Sequence, residues 1–301
     1  MAIEQLKFNE WSEALSFLRA KALSNHEHLF RGHTSTAHRL QTSWQRYSKI
    51  APESWMSDIQ QTITNFWVGL ARNNLLPFES DNIQDRMEYG RHHGIPTPSL
   101  DFTRSPYIAL YFALSALNGA SSTGRIDPVV YILDSDRLAE FWSENFGPTS
   151  PPIDAATFRR EFLNPPRSFF DRGFPSNVLQ LFPFPSKTNH RMQRQLGALL
   201  YDTMNYAALN VNDLENYLES IDDTAFNSRD SGSAVDRRVL YKVFLKEEWA
   251  EAILSELELV GINGGYLYGN AEGVAQDVRN SYFYSPRTNQ LRDISFIPPT
   301  L

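Results

Sequence analysis

Cysteine is absent from the 301 residues, which excludes disulfides, thiolate zinc sites and a cysteine nucleophile. Long apolar runs are lacking too. None approaches the roughly 18 residues needed to span a bilayer, so no membrane partner is expected. The opening Met1-Ala2-Ile3-Glu4-Gln5 has neither the basic nor the apolar stretch of a signal peptide, and a cytoplasmic location is the expectation. Positive charge is in deficit. The formal net charge is −7, which argues against a general nucleic-acid surface but leaves room for a local basic pocket. There is no Gly-x-x-x-x-Gly-Lys loop, no Gly-x-Gly-x-x-Gly turn and no Gly-x-Ser-x-Gly elbow. P-loop ATPase, Rossmann dehydrogenase and α/β-hydrolase chemistry therefore lose their main support. The His-Glu-x-x-His pattern of zinc proteases is also missing. His26, His28, His33 and His38 lie in polar segments and read as surface residues, and no metal is expected.

What is present is an ordinary globular composition. Apolar residues make up 42% and aromatics 13%, enough for a substantial core. Helical spacing marks Glu10–Leu23, with Asn9 as its expected cap, and Glu53–Asn73, whose Ile59, Ile63, Phe66 and Leu70 form one face. A third helix is expected over Asn82–His93, stopped by Gly94. A fourth, Ser105–Leu117, is apolar nearly all round and should be deeply buried, capped by Asp101 or Thr103. Strands are expected at His28–Arg31, Pro128–Asp134, Ala198–Asp202, Val239–Lys246 and Gly265–Gly269. Short helices are expected at Asp154–Leu163 and Val211–Ser220, and an amphipathic one at Glu247–Val260. Residues 147–185 read as a loop-rich insertion and 222–237 as a polar loop. The sum is one mixed α+β domain over 1–301, with central small sheets and flanking helices.

Three clusters carry candidate chemistry. Phe30-Arg31-Gly32-His33 puts an arginine beside a buried strand, where it needs an anionic partner. That partner is either a protein carboxylate such as Asp101 or a ligand phosphate. Gly32 allows a turn or a close approach to a ligand. His92-His93-Gly94 and Asp101-Phe102-Thr103-Arg104-Ser105 sit before a helix N-terminus, a place that favours anions or simple capping. His190-Arg191-Met192-Gln193-Arg194-Gln195 precedes a strand and either projects into a cleft or faces solvent.

Together these clusters resemble the FRG domain family, through Phe30-Arg31-Gly32-His33, through His92-His93-Gly94-Ile95-Pro96-Thr97 with Leu100-Asp101-Phe102-Thr103, and through Arg191 and Gln195-Leu196-Gly197. The resemblance runs over nearly the whole chain, with Gly261-Ile262 and Glu272-Gly273 similar to the family's closing helix-strand-helix. The chain departs from the family pattern at Arg91, Pro98 and His33. The order of motifs is also similar to that of ADP-ribosyltransferases, which implies a fold of that kind and a nucleotide ligand such as NAD, with no other cofactor required. On that analogy Arg31 would grip NAD, with His33, His92, Asp101 and Arg191 around it. Thr103 and Ser105 would orient the ribose, and Gln195 would stand where the transferases use glutamate. A neutral amide cannot stabilise an oxocarbenium charge, and losing one such group costs roughly 10²–10³ in rate. The resemblance therefore implies a slow transferase, an NAD-cleaving toxin or antiphage defence effector of bacterial type that recruits another carboxylate, or a nucleotide-binding module without turnover. The target would be an unidentified protein or nucleic acid. A non-enzymatic recognition module with a structural Arg31 is the alternative, and a nuclease-like effector is disfavoured by the acidic charge.

Overall fold

The computed structural model describes residues 3–47, 55–80, 82–115, 127–146, 155–165, 167–170, 177–183, 189–220 and 238–284. Its strands are β1 (Ile3–Lys7), β2 (His28–His33), β3 (Ser99–Thr103), β4 (Val129–Asp134), β5 (Leu179–Phe182), β6 (Gly197–Asp202) and β7 (Leu240–Phe244). Its helices run from α1 (Trp11–Ala22), α2 (Ser43–Tyr47), α3 (Trp55–Arg72) and α4 (Ile83–His92) to α5 (Pro106–Leu114) and α6 (Ser135–Phe146). They continue with α7 (Ala155–Leu163), α8 (His190–Arg194), α9 (Leu214–Ser220), α10 (Ala250–Leu259), α11 (Gly264–Tyr268) and α12 (Ala271–Tyr284). The α+β class holds, but the expected small sheets are one seven-stranded sheet in the order β1-β7-β4-β2-β3-β6-β5. Among the described residues only β1 and β7 pair in parallel.

Strand periodicity distributes the core over both faces of this sheet. On β4, Val130 and Ile132 point with Phe30, Tyr241 and Val243 into the layer formed by α1, α5 and α10. Val129, Tyr131 and Leu133 point the other way, with Leu29, Leu200 and Leu240, toward α6 and α9. A smaller cluster joins Leu199 and Tyr201 of β6 to Ile59 and Ile63 of α3, Met87 of α4 and Met192 of α8. Under the second face Lys242 is ion-paired with buried Glu215, whose other oxygen accepts from Tyr131 Oη at 3.0 Å.

Several local expectations are corrected. The expected strand Gly265–Gly269 is instead helix α11, because Asn263 caps it through Tyr266 N–H at 2.9 Å and the Asp277 carboxylate accepts from the N–H groups of Gly264 and Gly265. The closing segment is therefore three successive helices. The cap of α1 is Glu10 in a reciprocal box with Glu13, with Asn9 one residue outside. Ser105, not Asp101 or Thr103, caps α5, with Pro106 at its first position. Strand β5 lies inside the stretch read as loop-rich and pairs with β6. Strand β1 and helix α6 were not foreseen. The 222–237 loop falls outside the described residues.

Candidate functional site

The site forms where two neighbouring strands barely pair. β2 pairs with β4 along its whole length, but with β3 only at Phe30 opposite Thr103. Beyond that pair a cleft of about 340 Å³ opens, bordered by Arg31, His33, Asp101, Thr103, Arg191 and Gln195. His38, Phe112 and Tyr268 also line it, with Gly32 and Thr34 of the β2 end.

Arg31 reaches across the interrupted ladder. Its Nη1 donates to the Asp101 carbonyl at 2.5 Å and its Nε to His33 Nε2 at 2.6 Å. The carboxylate of Asp101 is taken by Arg91 instead, whose Nε and Nη2 donate to Oδ2 at 2.8 and 2.6 Å. Arg91 also donates to the Ser99 carbonyl. The second oxygen, Asp101 Oδ1, is buried with no hydrogen-bond partner. Burial alone would raise the Asp101 pKa, but the charges of Arg91 and Arg31 outweigh it and hold it below the usual value. Burial lowers Arg31 to about 10, which leaves it cationic at neutral pH. Among the described residues Arg31 makes no ion pair with a carboxylate; its protein partners are a carbonyl and an imidazole.

His33 is the neutral half of that arrangement. Its Nδ1 meets the His38 carbonyl, which can only accept, so the ring proton sits there and Nε2 accepts from Arg31. Protonation would set an N–H against an N–H. Burial, reinforced by the Arg31 charge, lowers the His33 pKa to about 2.

Gly32 serves packing. A Cβ there would stand 1.9 Å from the Ala109 carbonyl oxygen and 2.6 Å from the Ala113 nitrogen. The close approach is to the backbone of α5, and Gly32 also borders the cleft. Phe30 fills the core on that face.

The opposite wall depends on α8. Asn189 caps it by accepting from Met192 N–H at 3.1 Å, and its amide donates to Glu88 Oε2 at 2.7 Å. His92 Nε2 lies 2.9 Å from the same Asn189 oxygen. That oxygen is an acceptor, so His92 carries its proton on Nε2. Burial lowers the His92 pKa despite this bond. The network sets Arg191 over the ring of Tyr268, 4.4 Å from the centroid. Arg191 Nε is buried with no hydrogen-bond partner. Gln195 is anchored by its amide to the Leu267 carbonyl at 3.2 Å. The Gln195 backbone carbonyl accepts from Thr103 Oγ1 at 2.6 Å, and that hydroxyl accepts in turn from Ser105 N–H at 3.0 Å.

Six of the expected site residues thus share one cleft: Arg31, His33, Asp101, Thr103, Arg191 and Gln195. Ser105 and His92 stand outside the lining, the first as a helix cap and the second as a support for α8. The Thr103 hydroxyl spans β3 and the α8–β6 turn. Tyr268 was missed because Gly265–Gly269 looked like a strand. Phe112 was missed because a helix apolar all round hides which residue meets a cleft.

Residues 26–121 match the family model of the FRG domain. No curated protein and no solved structure matches the chain. The matched stretch supplies β2, β3, α4 and α5, while Arg191, Gln195 and Tyr268 come from beyond it. Among the described residues no helix is long and apolar enough to cross a membrane.

Proposed function

We propose that the cleft of this FRG-domain protein binds a nucleotide such as NAD, with anionic groups on Arg31 and Arg191. The observation that carries this reading is two guanidinium groups bordering one cleft, neither ion-paired with a carboxylate among the described residues. Guanidinium is the side chain best shaped for phosphate, through paired N–H donors. Asp101 borders the same cleft, and its buried Oδ1 has no hydrogen-bond donor. Tyr268 and Phe112 offer aromatic surface, and stacking a base on such a ring contributes roughly 1–3 kcal/mol. A cleft of about 340 Å³ lies within the range of small-molecule sites, roughly 300–1,000 Å³.

Turnover is a further step of the same reading. Breaking the nicotinamide–ribose bond builds positive charge on the sugar, and nicotinamide leaves with the bonding electrons as water or another nucleophile adds to the ribose. Gln195 brings no charge. Asp101 is the carboxylate at the cleft, and its pairing with Arg91 weakens it as a stabiliser. Binding is accordingly expected to be readily measured and cleavage slow. A transferase, toxin or defence role, with its protein or nucleic-acid target, rests on the family resemblance.

A second reading is favoured by the hydrogen bond from Arg31 to the Asp101 carbonyl: the arginine stitches β2 to β3 and is structural. Calorimetry with NAD, followed by mass spectrometry for released nicotinamide, separates the two. A folded Arg31→Ala variant that no longer binds NAD supports the clamp. A folded one that binds unchanged removes it, and one that does not fold favours the structural role.

A further inference from the structure

The far end of β2 from the cleft gathers a second set of polar groups. His26 and His28 enter the strand, and the register places His28 opposite Asp134, the last residue of β4. Asp136 follows in α6. His26 Nδ1 lies 3.0 Å from Asp134 Oδ2, and His28 Nε2 lies 3.6 Å from the same oxygen. Ligand atoms of His26, Asp134 and Asp136 all fall within 4.8 Å of one another.

His28 makes this cluster more than an acidic corner. Its side chain is 4% exposed, and its Nε2 has no hydrogen-bond partner. Its Nδ1 faces the His26 carbonyl at 3.2 Å and the Ser24 hydroxyl at 3.0 Å. A carbonyl only accepts, so Nδ1 carries the proton and Nε2 turns a bare lone pair toward a carboxylate oxygen. Two lone pairs opposed inside a protein are unfavourable unless a cation lies between them. The 3.0 Å between His26 and Asp134 is a hydrogen-bond distance, whereas 3.6 Å between His28 Nε2 and the carboxylate, with no hydrogen bond, is the separation of two atoms bound to one metal at about 2.0–2.1 Å each.

We propose that His26, His28 and Asp134, with Asp136 beside them, bind a divalent first-row transition cation, Zn²⁺ in the first instance. Imidazole and carboxylate together suit that class. The carboxylates are already oriented from outside. Asp134 Oδ1 accepts from Arg137 N–H at 2.9 Å, leaving Oδ2 toward the histidines. Asp136 accepts from Arg159 at 2.7 Å and from Glu27 N–H at 3.0 Å, contacts of the kind that fix ligating carboxylates. A bound cation would tie the start of β2 to the β4–α6 corner, which is a structural role. Neither the His-x-His nor the Asp-x-Asp segment is a recognised metal motif alone; the β2–β4 register brings them together.

The test is a Co²⁺ titration of chelator-treated protein, followed by visible d–d absorption, with Zn²⁺ added in competition. The expected result is a single saturating cobalt signal per chain, displaced by Zn²⁺, and a higher melting temperature with Zn²⁺. His26 is 40% exposed at its side chain, so His26→Ala should fold normally and lose the signal. Arg159→Met, removing an outer contact, should weaken binding roughly 10–100-fold. Absence of a signal from folded wild-type protein, or a signal that His26→Ala and Asp134→Asn both leave intact, overturns the site.

Discussion

Replacing Gly32 by alanine should damage folding far more than any ligand contact would explain. The added Cβ would sit 1.9 Å from the Ala109 carbonyl oxygen and 2.6 Å from the Ala113 nitrogen. Both are backbone atoms of α5, so no rotamer change relieves the clash. Helix and strand must separate by about 1 Å, and a gap of that size forfeits a quarter to a half of each contact along the seam. The seam is rich, because α5 buries Ile108, Ala109, Leu110, Tyr111, Ala113 and Leu114. Overpacking a core typically costs about 1–3 kcal/mol, and an immovable backbone neighbour puts this case at about 3 kcal/mol or above. Domains have only about 5–15 kcal/mol in total. Urea unfolding followed by tryptophan fluorescence would measure the loss. Gly94→Ala is the control: its φ of +80° strains alanine, but nothing stands within 4 Å of the new Cβ, so about 1 kcal/mol is expected. A Gly32→Ala variant as stable as Gly94→Ala would refute the packing account and return Gly32 to the ligand.

His33→Gln should flatten the acid limb of stability. The folded pKa of about 2 lies below the usual 6.5, so the unfolded chain binds the extra proton and wild-type stability falls as pH drops from about 6.5, by roughly 1 kcal/mol per pH unit. Asp202, raised to about 6 by burial, acts in the opposite sense, so the difference between the variant and wild type across pH 4–7 is the quantity to read. Lys242→Met strands the buried Glu215 and should cost about 3–5 kcal/mol in denaturant unfolding, while adding Glu215→Leu should recover most of it. Asn189→Ala removes the α8 cap, costing about 0.5–2 kcal/mol. It should also weaken nucleotide binding in calorimetry, because Arg191 loses its setting.

The elements were legible where one periodicity dominates. The all-apolar α5 and the run Val129–Asp134 needed no tertiary information, and Gly94 marked its helix end by an unavoidable positive φ. Strand β1 was hidden because its burial alternates through polar residues, and β5 because four residues amid prolines carry little pattern. Gly264–Tyr268 was misread because tyrosine and leucine between glycines suit a strand, while the groups that make it a helix are Asn263 and the distant Asp277. The site was half legible. Arg31 could be flagged as a charge needing an anion, but nothing in the sequence says that Arg91 would take Asp101 first. That competition leaves Arg31 facing the cleft, and it depends on a loop bringing α4 beside β3.

In the proposed complex the cleft holds an anionic nucleotide between Arg31 and Arg191. Arg191→Gln is the variant to measure, since among the described residues Arg191 has no carboxylate partner whose loss would disturb the fold. In a calorimetric titration of NAD, wild type should bind and Arg191→Gln should bind about 10–100-fold more weakly, as the loss of one charge-assisted contact worth about 1.5–3 kcal/mol requires. Its melting temperature should fall only slightly, through the loss of the contact with the Tyr268 ring, worth about 0.5–1 kcal/mol. Folded wild-type protein that takes up no NAD, or a variant that binds it equally well, would contradict the account.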